Sequence, residues 1–344
     1  MKRNIIYPVL ILALLLCGCG STQTDAPAET AALATEAPAP EAAPETVEEA
    51  YVDEVVLDIE QPEQEMVLVA EPAPPAIPDI LEPVAPGELA MVTDFVTIDY
   101  SNTADGYVMI CYTEETTQRL KVQIRGTTTV YTYNLPQGQW TVFPLTDGNG
   151  YYQFKVYKNA GGSQYSLMAA VEHTVELADE FAPFLRPNQY VDFSASSKTV
   201  ETAWELTKEI ENPLGKVEAV YNYVVKELSY DNEKARTVQS GYIPVLDLVL
   251  EEKKGICFDY ASLMTGMLRS QGIPCKMVFG YTGGAYHAWI SVWTEDTGWV
   301  DGVIFFDGIA WQRLDPTFAS YDNQSDSIMQ YIGNGTNYQE KYFY

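Results

Sequence analysis

The chain has 344 residues, of which 47% are hydrophobic and 12% aromatic, with a formal net charge of -28. That length carries about two domains and the composition supplies a sizeable core. From Gly20 to Ala90 there are 17 acidic residues and no Lys or Arg, which leaves 31 acids and 18 bases on residues 91–344; this acidic remainder, with no basic stretch, argues against nucleic acid or an anionic membrane surface as a partner.

The N-terminus reads as an export signal over residues 1–18. Lys2 and Arg3 form the positive start, and Tyr7 to Cys17 is an apolar run short for a mature membrane helix. Leu16-Cys17-Gly18-Cys19 resembles the bacterial lipobox. The resemblance implies cleavage before Cys19, lipid on its thiol, and a membrane-anchored protein on the extracellular face of the cytoplasmic membrane. Residues 19–89 then read as a disordered tether: eleven of the 20 prolines fall there among Ala, Glu and Thr, without an amphipathic period. At about 3.1 Å per residue in polyproline-like geometry, such a stalk reaches roughly 200 Å, enough to present an enzyme to cell-wall peptide.

From residue 90 to 180 the pattern is strict alternation. Phe95–Tyr100, Tyr107–Tyr112, Leu120–Ile124, Thr129–Leu135, Gln139–Phe143, Tyr151–Tyr157 and Met168–Val175 read as strands, punctuated by Asp105-Gly106, Pro136-Gln137-Gly138 and Gly161-Gly162. Seven short strands spaced this way predict an all-β sandwich of immunoglobulin type. His173 is expected at an exposed strand position, with no ligand role.

Residues 181–344 change period. After a Pro-containing connector, the spacing predicts helices from Lys198, from Pro213, around Val245 to Leu250 and from Cys257 to Gln271. Lys276–Tyr281, Ala285–Thr294, Trp299–Phe306 and Ile309–Leu314 then read as antiparallel strands. Helices followed by a sheet give an α+β arrangement.

Three strings in this region carry chemistry: GICFDYA with Cys257, YHAWISVW with His287 and LDPTF with Asp315. They supply a thiol nucleophile, an imidazole base and an orienting carboxylate, the set that cysteine acyl transfer needs. The chain has two histidines, and His287 is the one that shares a region with Cys257. Cys257 falls at a helix start, where unpaired amides and the positive end of the dipole stabilise a thiolate and can donate to an oxyanion. Cys111 and Cys275 are expected as buried free thiols. Tyr286, Trp289, Trp293 and Trp311 are the expected apolar surroundings of the imidazole, whereas Asp231, Asp259 and Asp301 read as turn or solvent-facing carboxylates. No metal or cofactor set is expected.

At these residues the chain resembles the transglutaminase-like superfamily, whose core is papain-related. The pattern is a Cys at a helix start with a run like ASLMTGMLRSQGIPCK, then His-Ala-Trp on one strand and Asp-Pro-Thr after another, spanning about Lys198 to Ala319. The resemblance implies Cys257 as nucleophile, His287 as general base and acid and Asp315 as orienting carboxylate, with Tyr230 either the oxyanion donor or a structural tyrosine. Protein or peptide amides are the expected substrates. Three outcomes stay open: a peptidase or amidase, slightly favoured; a protein-glutamine transglutaminase; and a catalytically inert protein- or wall-binding module.

Overall fold

The computed structural model describes residues 76–282, 284–301, 304–306, 311–313 and 338–344. Eight strands come first: β1 (Ala90–Val92), β2 (Val96–Asp99), β3 (Tyr107–Tyr112), β4 (Leu120–Arg125), β5 (Val130–Asn134), β6 (Thr141–Pro144), β7 (Gly150–Gly161) and β8 (Gln164–Val175). They form two four-stranded antiparallel sheets, ordered β1-β2-β3-β6 and β5-β4-β7-β8. The chain therefore changes sheet between β3 and β4, β5 and β6, and β6 and β7. Alternation decides which side chains enter: Leu120, Val122 and Ile124 of β4 are buried, while Lys121 and Gln123 face outward and stay half-exposed. The β7–β8 hairpin turns at Gly161 and Gly162, both at positive φ, a geometry that glycine adopts without Cβ strain.

Two expectations are corrected here. The tether predicted to run through residue 89 overlaps the fold, because Val84 N donates to Tyr107 Oη at 3.1 Å, Gly87 N to Asp99 Oδ2 at 2.6 Å and Leu89 N to Ser101 Oγ at 2.8 Å. This strip helps cover the outer side of β3, every residue of which is buried. His173 is half-buried rather than exposed and packs on Tyr100, ring centroids 5.2 Å apart. The two-residue period of a strand puts it on the face of Val171 and Val175.

The second region runs α1 (Lys198–Thr207), α2 (Pro213–Glu227), β9 (Ser229–Tyr230), α3 (Asn232–Thr237), α4 (Leu246–Glu252), β10 (Lys254–Gly255) and α5 (Cys257–Arg269). There follow β11 (Cys275–Thr282), β12 (Ala285–Thr294), β13 (Gly298–Asp301), β14 (Ile304–Phe306), β15 (Trp311–Arg313) and β16 (Tyr338–Phe343). The predicted strand 299–306 is two strands, and α3 and β16 are additional to the predicted elements. The main sheet is antiparallel in the order β13-β12-β11-β16. Asn212 caps α2 by accepting from Leu214 N at 3.0 Å, with Pro213 at the first helical position as its sequence predicts.

Helix α5 is buried on all sides from Asp259 to Arg269, packed between α1, α2 and α4 and the strands β11 and β12. Its Leu263, Met264, Met267 and Leu268 are fully buried, each worth about 1.5–3 kcal/mol relative to exposure. The two regions share one core. Tyr344 pairs with Met277 through both backbone bonds and sets its ring against Tyr131 and Tyr133 of β5. Gln189 of the connector bonds Val142 O at 3.1 Å and Asn134 O at 2.7 Å. Among the described residues no helix is long and apolar enough to cross a membrane.

Candidate active site

Cys257 is the first residue of α5, half-buried, with its thiol free. A helix leaves its first amides without intrahelical partners; here one of the chain's amides at this end is satisfied by a side chain that folds back, Ile256 N donating to Asp259 Oδ2 at 2.7 Å. The Asp259 carboxylate is fully buried, correcting the solvent-facing expectation. It also forms an ion pair with Lys234 of α3 at 2.8 Å and accepts from the Tyr242 hydroxyl at 2.5 Å. Burial, and then the bond to Asp259, push the Tyr242 phenol far above its ordinary value. Gly255 makes room for this fold-back, since a Cβ there would lie 2.5 Å from Asp259 Cβ. The Gly-Ile-Cys-Phe-Asp string thus codes a braced helix start, which an Asp at the third helical position could have signalled.

Tyr230 reaches the same place through backbone pairing. Strands β9 and β10 are parallel with Gly255 opposite Tyr230, and Asp231 N donates to Gly255 O at 2.8 Å. Asp231 caps α3, accepting from Glu233 N and Lys234 N, so its turn role is observed.

His287 lies in β12 opposite Gly280 of β11 and is 8% exposed. Helix α5 packs on this strand. Gly280 is obligatory there: a Cβ would meet Gln339 O of β16 at 2.1 Å and the Trp289 ring at 2.6 Å. Trp289, two residues on and nearly fully buried, places its ring centroid 6.3 Å from that of His287. The neighbouring Tyr286 has its phenol pushed up to about 12, chiefly by burial, with Tyr342, Tyr281 and the Cys257 thiol adding to it. Phe279 of β11 joins the two starts, its ring centroid 4.9 Å from Phe258 of α5 and 5.6 Å from Tyr286 of β12; residues alternate along a strand, so it is the Tyr286 face of β12 that meets the start of α5, with His287 on the other face. Trp293, expected beside the imidazole, packs instead on Phe181 at 4.3 Å. Asp315, Cys19 and the side chain of Trp311 lie outside the described residues.

Residues 200–302 match the sequence family described as the transglutaminase-like superfamily. The chain carries a transglutaminase-like domain.

A protein-glutamine gamma-glutamyltransferase of Pseudomonas aeruginosa is 32% identical over 68 residues, covering 16% of this chain and 10% of that protein. The kyphoscoliosis peptidase of Mus musculus is 29% identical over 143 residues, 35% of this chain and 22% of that protein. The chain thus spans less than a quarter of the length of these curated relatives. A solved structure of a candidate cysteine protease from Cytophaga hutchinsonii is similar with a TM-score of 0.35 and 15% identity, over 74% of this chain and 73% of that one.

Within the transglutaminase-like domain the other thiol is inert by placement. Cys275 is fully buried and burial pushes its thiol up to about 12, while burial also raises the Cys111 thiol in the β region. Both are free, as the sequence suggests.

Proposed function

We propose that the protein is a cysteine acyl-transfer enzyme acting on amide bonds of protein or peptide, with Cys257 as nucleophile, His287 as base and acid and Asp315 as the carboxylate that orients the imidazole. The observation that carries this reading is the half-exposed thiol on the first turn of a braced, buried helix whose neighbouring strand bears the histidine. His287 takes the thiol proton as Sγ attacks the amide carbonyl. First-turn amides of α5 stabilise the developing oxyanion, and Tyr230, paired through its backbone with Gly255, is the candidate side-chain donor. His287 then returns the proton to the leaving amine, leaving a thioester on Cys257. Water or a second amine, deprotonated by His287, attacks the thioester and releases the thiol.

Hydrolysis is the favoured second half, as in a peptidase or amidase, and transfer to an amine is the second reading, supported by the Pseudomonas relative that bears a glutamyltransferase name. A labelled primary amine offered together with protein substrates separates them. New peptide termini that vanish in Cys257→Ala support the hydrolase; amine incorporation that vanishes in the same variant supports the transferase; neither product overturns the enzymatic reading in favour of an inert binding module. The proposal includes an extracellular lipid anchor at Cys19 and an immunoglobulin-like first module, the latter supported by its sheet-switching strand order. Radiolabelled fatty acid that fails to enter the wild-type chain in a bacterial host would rule the anchor out.

A further inference from the structure

A trough runs along the sandwich toward the start of α5. Its outer part, about 440 Å³, is lined by Arg119, Lys121, Gln137 and Gly241 among others, and its inner part, about 320 Å³, by Lys121, Tyr242, Phe258 and Tyr286. Lys121, Asn134, Ser240 and Gly241 line both parts, so the two adjoin across these residues. The inner end approaches the start of α5: Phe258 of its lining directly follows Cys257, and Phe279 bridges it to Tyr286, ring centroids 4.9 Å from Phe258 and 5.6 Å from Tyr286. Gly241, at φ +92°, lets the loop close on β5: a Cβ there would sit 2.8 Å from Asn134 Nδ2.

The charge of this trough runs against that of the chain. In a protein of net charge -28, its lining contains two cations and no Asp or Glu. Lys121 bonds Asn134 Oδ1 at 2.5 Å, and Arg119 reaches only Gly162 O at 3.4 Å. Neither has a carboxylate partner among the described residues. Desolvation, and then the proximity of Arg119, hold the Lys121 ammonium below its ordinary value. Nearby acids are already engaged or do not line the trough: Asp259 is paired with Lys234, Glu114 is paired with Lys158, and Glu115 is outside the lining. Two like charges held together without an anion gain most from an incoming one.

We propose that this trough is a subsite for an acidic segment of the peptide substrate, with Lys121 and Arg119 pairing with carboxylates on one side of the scissile amide and the aromatic inner wall receiving the acylated residue. It rests on the acyl-transfer reading above and makes the first module a specificity element. Turnover of a glutamate-flanked glutamine peptide is compared with that of its isostere in which the flanking glutamates are glutamines, in the full chain. The expected result is a preference for the acidic peptide that falls with salt and drops about tenfold in Lys121→Met and about threefold in Arg119→Gln, turnover of the neutral peptide falling much less than that of the acidic one. A preference that survives both substitutions, or no preference at all, overturns the subsite while leaving the enzyme intact. If neither peptide is turned over, the subsite is decided by fluorescence anisotropy of a labelled oligoglutamate of about eight residues on the Cys257→Ala protein, and the acyl-transfer reading by the labelled-amine experiment above. Binding lost in a further Lys121→Met change sustains the subsite, and binding indifferent to it overturns the proposal. A preference seen only after deletion of residues 20–75 assigns the trough to the chain's own acidic segment and also overturns it.

Discussion

The two ends of α5 make opposite use of similar parts. Each has a thiol close by and a buried charge of the sign that complements the helix dipole, Asp259 at the first turn and Arg269 at the last. At the first turn the acid is paired with Lys234 and the thiol is half-exposed. At the last turn Arg269 is 3% exposed and spends its donors on three carbonyls, Cys275 O at 2.9 and 2.8 Å, Arg186 O at 2.7 Å and Tyr344 O at 2.6 Å, while the Cys275 thiol is sealed. Burial lowers the Arg269 guanidinium to about 10, still charged at neutral pH. The same helix is thus wired for reactivity at one end and for closure at the other.

The sharpest way to break this contrast is to remove each end in turn. Cys257→Ala is expected to lower turnover by at least about 10⁴-fold, or about 5 kcal/mol of barrier, with little change in the urea midpoint; retained turnover would relocate the nucleophile. Arg269→Met should do the reverse, costing about 3–4 kcal/mol of stability as buried carbonyls lose charged donors. Urea unfolding measures it, and a loss under about 1 kcal/mol would mean that water replaces the guanidinium. Asp259→Asn should cost about 2 kcal/mol by leaving Lys234 unpaired and should also reduce turnover, because the bracing of Cys257 loosens. Stability loss with unchanged kcat would show that the brace is structural only.

The smallest effect is at alkaline pH. The folded Cys275 thiol, at about 12, lies above its unfolded value of about 8.5. Above pH 8.5 the unfolded state therefore binds fewer protons than the folded one, and stability falls by up to about 1.4 kcal/mol per pH unit until the folded thiol ionises. Cys275→Ala should flatten the slope of urea midpoint against pH between about pH 8.5 and 9.5 relative to the wild-type chain, whose tyrosines contribute equally to both slopes. An unchanged slope would show that the site is not dry.

Much of this was legible in the chain. Alternation located seven of the eight strands of the first region, and the helix periods of α1, α2, α4 and α5 followed from apolar spacing. Helix α3 was hidden because it has no buried residue and depends on the Asp231 cap and on Lys234 reaching Asp259. Strand β16 was hidden because its partner β11 lies far upstream and its own sequence, YQEKYF, is half polar. Asp259 was misread for the same reason: first-turn acids usually face water, and its ammonium partner is 25 positions earlier in the sequence. Local pattern reveals elements, whereas a buried ion pair between distant residues leaves no periodic trace.

Residues 338–344 close the core from a great distance. Phe343 O accepts from Thr146 Oγ1 across 197 positions, and Tyr344 plugs the seam between β5 and the connector. A chain emerging N-terminus first from a ribosome can assemble its sandwich but must leave this seam open until β16 and Tyr344 arrive. Such late, non-local closure slows folding, so the half-made protein passes through a stage in which an aromatic cleft is exposed and the helix carrying Cys257 lacks part of its floor.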